Sequence, residues 1–471
     1  MPRVRLMHPS GLSSALVSLL VAPRGPLPYR AYAKLCRADI HPQSPESMYA
    51  HGCQEYTQAK PAGTRHTEAA WAKCAHPPID SPPSLWYCQT SQCVERLPNG
   101  DGGAGAMSVP SPLLQTVLVI GPNWVGDAVM ATPVLANLRR GLPKATIDLL
   151  APASVSPLFE EHPHVDRVWI DHSRTDWRAA LSLARTQRQM RYDVALLLPN
   201  SFRAALWAWL IGAQRRVGYA TDGRRWLLTH PMPAAWIQPH RRRSQRVSTG
   251  LPSEGPHQVD AYLRLVEALH IPIVERWPVL VPSSLAEKEA EHLWARHGLE
   301  GQKRIVGLCP GAAFGPAKRW WPERFAALAD RLVVEAGVTV VLFGSRDEVP
   351  LIEQVRAHMS QHAVSLAGQD TPASFAALAA RCAVLVTNDS GAMHIASAVG
   401  SPVVALFGPT DPRRTAPSSP RAFVLRRELP CSPCFRSQCP YSDHPCMRLI
   451  AVDDAFVAVR HALGYAEHDG A

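Results

Sequence analysis

What most constrains the fold of this chain is an alternation that begins near Thr116 and begins again near Ile305. A short β-rich run is followed by a glycine- or proline-bearing turn and then by a segment with helical spacing. Thr116–Ile120 is the first such run, residues 121–126 are its turn, and residues 127–140 show helical spacing through Val129, Pro133, Leu135 and Leu138. Residues 147–150, 165–170 and 193–198 read as further strands. A helix over 259–269 leads into a proline-rich stretch, 272–282, where the interdomain linker is expected. The alternation then resumes: helix 285–297, strand 305–308, helix 322–336, strand 338–343, helix 347–358, strand 384–387, helix 391–399 and strand 403–407. Such βαβ order implies parallel sheets covered by helices. Two successive units predict an α/β protein of two Rossmann-like domains facing across a cleft, with the ligand between them.

At 471 residues the chain exceeds what one core usually organises, so two domains are expected on length alone. The reading assigns 107–282 to an N-terminal domain and 283–471 to a C-terminal one. Residues 1–106, rich in scattered Pro, Ser, His and Cys, are expected to be a disordered extension or the product of a start chosen upstream of Met107. No run approaches the roughly 20 apolar residues of a membrane-spanning helix. A formal charge of +10 favours anionic partners without choosing among lipid phosphate, nucleotide and nucleic acid. Arg241, Arg242, Arg243 and Arg246 lie among Ser, Gly and Pro and read as an exposed basic loop. They are the main motive for a nucleic-acid alternative, yet no reading motif or interleaved aromatics accompany them, and no nucleic-acid partner is expected.

Three strand-end loops carry candidate chemistry. Gly121-Pro122-Asn123-Trp124-Val125-Gly126-Asp127 resembles a phosphate loop in spacing, but Asp127-Ala128 replaces the Lys-Ser/Thr pair and Asn123 replaces the middle glycine of a dinucleotide fingerprint. What remains is a carboxylate at a helix start, where Asp is also a common cap. The loop from Pro310-Gly311 to Lys318-Arg319-Trp320-Trp321-Pro322 brings two cations to a helix start, a combination suited to a diphosphate. Thr387-Asn388-Asp389-Ser390-Gly391-Ala392-Met393-His394 repeats the arrangement, with Asp389 and Ser390 as possible caps and His394 open to a packed structural role. Cys431, Cys434, Cys439 and Cys446 follow a Cys-x2-Cys-x4-Cys-x6-Cys spacing, which fits four thiolates on zinc or a reduced, loop-stabilising set.

Together with Leu198-Pro199-Asn200-Ser201-Phe202-Arg203, Phe407-Gly408-Pro409-Thr410-Asp411-Pro412 and the late cysteines, these loops resemble the ADP-heptose:lipopolysaccharide heptosyltransferases of glycosyltransferase family 9, most closely type II. The likeness covers about 115–465. It implies the GT-B fold and inverting transfer of heptose from ADP-heptose to heptose I of the lipopolysaccharide inner core; another core position or a protein acceptor is the alternative. It further implies Asp127 as general base, donor contacts from Gly126, Gly311, Lys318, Asp389, Ser390, Gly391, Met393 and His394, and acceptor contacts from Asn200, Ser201 and Arg203. No cofactor and no catalytic metal are expected, since Lys318 takes the charge of the departing diphosphate. The enzyme is expected in the cytoplasm, in peripheral contact with the inner membrane. In some relatives an acidic residue after the glycine of the strand corresponding to 338–344 contacts the ribose; here Ser345 and Arg346 follow Gly344, so the resemblance does not extend to a ribose contact at that position.

Overall fold

The computed structural model describes residues 114–172, 176–237, 255–302 and 304–468. Residues 1–106 and the arginines at 241, 242, 243 and 246 lie outside the described residues. Two six-stranded sheets organise the rest. The first contains β1 (Thr116–Ile120), β2 (Thr146–Ala151), β3 (Arg167–Ile170), β4 (Val194–Leu197), β5 (Arg215–Tyr219) and β6 (His230–Met232), in the order β3-β2-β1-β4-β5-β6. The second contains β7 (Ile305–Cys309), β8 (Thr339–Leu342), β9 (Val364–Ser365), β10 (Val384–Asn388), β11 (Val403–Phe407) and β12 (Ala422–Arg426), in the order β12-β11-β10-β7-β8-β9.

Every pairing in both sheets is parallel; Val117, for example, stands beside Ile147 on one side and Val194 on the other, and Val386 stands between Leu308 and Val404. The central strands β4, β7, β10 and β11 are buried along their whole length, because helices cover both faces. That is why they read as unbroken apolar runs. In each sheet the strand order reverses once, between β1 and β4 and between β7 and β10. A crevice opens beyond the carboxyl ends of the strands at such a reversal, and the loops after β1, β4, β7 and β10 border it.

Several boundaries differ from the sequence reading. The helix expected over 127–140 is two helices, Val125–Met130 and Thr132–Gly141. Pro133 has no N–H with which to continue the first, the Ala131 N–H turns back to the Ala128 carbonyl at 3.2 Å, and the Thr132 hydroxyl donates to the Val129 carbonyl at 2.9 Å. The segment expected as helix over 347–358 opens with a 3-10 turn, Arg346–Glu348, before the helix Val349–His358. Strands β5, β6, β9 and β12 carry too weak an alternation to be read in advance: β5 starts with two arginines, β6 contains Pro231 and β9 has two residues.

The halves are in direct contact. Helix Val125–Met130 packs on helix Gly391–Ala398, and in the expected linker the Leu280 N–H donates to the Ala398 carbonyl at 3.0 Å. Glu161, at positive φ, accepts from both the amide and the hydroxyl of Ser284, each at 2.8 Å. Among the described residues no helix is long and apolar enough to cross a membrane.

Candidate active site

Asp127 is the third residue of helix Val125–Met130, whose N-cap is Trp124 and whose cap uses no side-chain hydrogen bond. The capping reading of Asp127 is therefore wrong, because the chain enters the helix two residues earlier. Burial raises its carboxyl to a pKa of about 6, the positive charge of Lys318 pulls the other way, and the negative charge of Asp389 adds to the rise. Groups from the two halves thus act on one carboxyl.

Lys318 closes the 3-10 turn Pro316–Lys318 and reaches Asp389 with Nζ–Oδ2 at 2.6 Å, both side chains being largely buried. The Thr410 hydroxyl donates to the same Asp389 oxygen at 2.6 Å, and the lysine ammonium lies 4.9 Å from the Phe314 ring centroid. Asn388 locks the two loops together: its amide donates to the Pro310 carbonyl at 2.6 Å and its Oδ1 accepts from the Trp320 N–H at 3.0 Å. Ser390 occupies the N-cap position of Gly391–Ala398 but makes no side-chain cap bond, its hydroxyl meeting that of Thr387 at 3.1 Å instead. Asp389 is taken up by Lys318 and Thr410, so neither residue caps as expected.

Glycine is required where these helix starts cross. A Cβ on Gly126 would stand 2.8 Å from His394 Cδ2, and one on Gly391 would stand 3.3 Å from Val125 Cγ1. Met393 and His394 are both buried, and burial lowers the His394 pKa to about 4, so its ring is neutral at physiological pH. At Gly311 a Cβ would fall 2.0 Å from Glu348 Oε1. Glu348 itself folds back in a capping box and accepts from the Ser345 N–H at 3.0 Å. A carboxylate, that of Glu348, thus lies near the end of β8 although Ser345 and Arg346 directly follow Gly344.

The three residues expected on the acceptor side part company. Asn200 lines a cavity of about 190 Å³ together with Tyr219, Gln258, Tyr262 and Arg414. Ser201 caps helix Phe202–Leu210, accepting from the Ala204 N–H at 3.3 Å, and it lines a smaller hollow together with Arg203, Asn123 and Asp171. Arg224 is fully buried. Its guanidinium donates to the Tyr219 carbonyl at 2.9 Å, the Ser201 carbonyl at 3.1 Å, the Pro199 carbonyl and Asn200 Oδ1, so it moulds the loop after β4.

The cysteine-bearing loop braces the second sheet's site loops. The Ser437 carbonyl accepts from the Ala317 N–H at 3.0 Å, His444 Nε2 meets the Ala317 carbonyl at 2.7 Å, and the Ser432 hydroxyl donates to the Gly408 carbonyl at 2.6 Å. All four cysteines are free thiols, and among the described residues no group of three His, Cys, Asp or Glu is placed to hold a metal ion. Tyr262, Gln258 and Arg414 were not singled out in the sequence, and Thr410 stood there only within the Phe407–Pro412 motif. Gln258 opens a helix and Arg414 follows a strand, but no local pattern marks them.

Two doubly wound parallel sheets, with their chemistry gathered on the loops at both strand-order reversals, define a glycosyltransferase of the GT-B fold. Residues 180–444 match glycosyltransferase family 9 (heptosyltransferase), and the chain belongs to that family. It is 34% identical over 323 residues to lipooligosaccharide heptosyltransferase 2 of Haemophilus influenzae, covering 66% of this chain and 88% of that one. It is likewise 34% identical over 321 residues to lipopolysaccharide heptosyltransferase 2 of Escherichia coli, covering 66% and 87%. The solved structure of E. coli ADP-heptose lipopolysaccharide heptosyltransferase II superposes with a TM-score of 0.61 at 31% identity, over 75% of this chain and all of the other.

Proposed function

We propose that this enzyme transfers heptose, with inversion, from ADP-L-glycero-D-manno-heptose to heptose I of the lipopolysaccharide inner core. The observation that carries the reading is the proximity of Asp127, with its raised pKa, to the buried Lys318–Asp389 pair. A carboxylate poised near pH 6 suits removal of a proton from a hydroxyl at neutral pH. On this reading Asp127 takes the acceptor's proton as its oxygen attacks the anomeric carbon, and ADP leaves from the opposite face. Lys318, now held by Asp389, neutralises the diphosphate charge that builds as the bond breaks. The uncapped start of helix Gly391–Ala398 adds backbone donors to the same anion.

Residues 283–471 hold the donor in this assignment, with Gly311 and Glu348 at the ends of β7 and β8, and residues 107–282 receive the acceptor through Asn200. No step calls for a cofactor or a metal. The acceptor is a lipid, so the enzyme works in peripheral contact with the cytoplasmic face of the inner membrane. The direct test incubates the full chain with ADP-heptose and a core saccharide ending in heptose I, and weighs the product. A gain of one heptose is expected. An unchanged acceptor, with heptose moved only onto another core position or a protein, would overturn the assignment.

A further inference from the structure

We propose that the cavity beside Asp127 is a subsite for an oxyanion, carboxylate or phosphate, carried by the acceptor saccharide, and that Arg414 reads it. The proposal rests on the glycosyltransferase reading above and adds what the acceptor must bear. At about 190 Å³ the cavity is smaller than the roughly 300–1,000 Å³ that enclose a drug-sized ligand, so it takes one sugar-sized group.

Its lining is rich in donors. Asn200 Oδ1 accepts from Arg224 Nη2 at 3.2 Å, which leaves the amide NH2 as the uncommitted end. The Tyr219 hydroxyl donates to the Ala261 carbonyl at 2.6 Å and keeps no proton for a ligand. The two arginines of the Asp411-Pro412-Arg413-Arg414 turn have different surroundings. Asp411 caps the short helix Pro412–Thr415 and holds Arg413 at both ends of its guanidinium, with Nε at 3.0 Å and Nη2 at 2.6 Å. The Arg414 side chain, in contrast, borders the cavity and makes no ion pair or hydrogen bond among the described residues. Among the described residues no carboxylate lines the cavity. A forked cation with an amide donor opposite it favours an oxygen anion over a neutral hydroxyl.

The subsite also lies where an acceptor must lie. Tyr262, one of its walls, feels the charge of Asp127 strongly enough that, after burial, it is the next cause holding the phenol above its ordinary range. The cavity draws Asn200 from the loop after β4 and Arg414 from the loop after β11, and His257 joins the two sides. The His257 Nδ1 accepts from the Val259 N–H at 3.3 Å, so Nε2 carries the proton and donates to the Ala416 carbonyl at 3.0 Å.

The test is steady-state kinetics on the full chain with Arg414→Ala and Arg414→Lys. Three acceptors are compared: the heptose-I core saccharide, the same saccharide with its carboxyls reduced, and the same saccharide after phosphatase treatment. Arg414→Ala should raise the acceptor KM about tenfold or more, with kcat and the ADP-heptose KM within about twofold, and Arg414→Lys should recover part of the loss. The penalty should vanish on one derivative, the carboxyl-reduced one if the anion is a carboxylate and the phosphatase-treated one if it is a phosphate. An unchanged acceptor KM in Arg414→Ala, or a penalty equal on all three acceptors, would overturn the proposal while transfer itself persisted. Absence of heptose transfer by the unmodified enzyme would instead bring down the heptosyltransferase reading on which it rests.

Discussion

Asp127 holds its proton up to about pH 6, whereas an unfolded aspartate releases it near 3.8, and this difference has consequences of opposite sign for activity and stability. On the proposed mechanism Asp127 must be ionised to take the proton, so kcat/KM should climb with pH up to about 6 and level off above it. Stability moves the other way: below 3.8 both states are protonated and burial costs nothing, and the cost of the buried charge grows as pH rises through 6. Asp127→Asn should therefore lose roughly 10²-fold or more in turnover and the inflection near pH 6. At pH 8 it should melt higher than the parent, with the gain shrinking as the pH falls below 6. A higher melting point with unimpaired turnover would leave Asp127 as no more than a buried charge. Lys318 works on the same carboxyl from the other half, lowering its pKa, so Lys318→Ala should shift the inflection upward. On the proposed function the same change would remove a charge-assisted contact to the diphosphate worth about 1.5–3 kcal/mol, and ADP should bind roughly ten- to a hundredfold more weakly by calorimetry. Turnover that survives EDTA unchanged is expected alongside; loss in chelator with recovery on Mg²⁺ would replace Lys318 by a metal as the charge-neutralising group.

At the scale of elements, the site depends on helix starts that glycine allows to approach closely. Gly311→Ala would push a methyl to 2.0 Å from the Glu348 carboxylate, which must then leave the Ser345 N–H. Overpacking of this kind costs about 1–3 kcal/mol, and urea unfolding should show it. In a Glu348→Ala background, where neither the carboxylate nor its bond to Ser345 is present, the same Gly311→Ala change should cost almost nothing; a loss as large as in the parent would mean that the clash lies elsewhere. The strand-end loops were legible because glycine, a charge and an apolar run coincide in one stretch, as at 121–127 and 387–391. Chain-local signals stop there. Thr410 and Lys318 meet at Asp389 only because β7, β10 and β11 are neighbours in the sheet, and no spacing along the chain records that order. Nor does the sequence mark Arg224, because a buried arginine satisfied by carbonyls looks, as sequence, like an exposed one. The break at Ala131 hinges on one proline inside an otherwise regular apolar pattern.

Over the whole molecule, the charge of +10 is the property most relevant to where the enzyme works. Charge that merely keeps a protein soluble is spread evenly, whereas Arg241, Arg242, Arg243 and Arg246 place four cations within six residues, beyond the described part of the half assigned to the acceptor. Each basic residue close to an anionic membrane surface contributes on the order of 1 kcal/mol, so the four together would supply about 4 kcal/mol at low salt if they met such a surface, roughly a thousandfold in partition. On the proposed function, charge of this kind would be a reversible means of reaching a lipid-borne acceptor. The full chain should thus sediment with vesicles containing anionic lipid at low ionic strength, and should leave them as salt shortens the range of the interaction. Replacing the four arginines by serine should release it at low salt too. The same variant should raise the KM of a lipid-borne acceptor and flatten its salt dependence, while the KM for ADP-heptose, which reaches the site from solution, stays put. Vesicle binding and acceptor kinetics that match the parent at every salt concentration would reduce the arginines to solvated surface charge and leave Arg203 as the next cation to test.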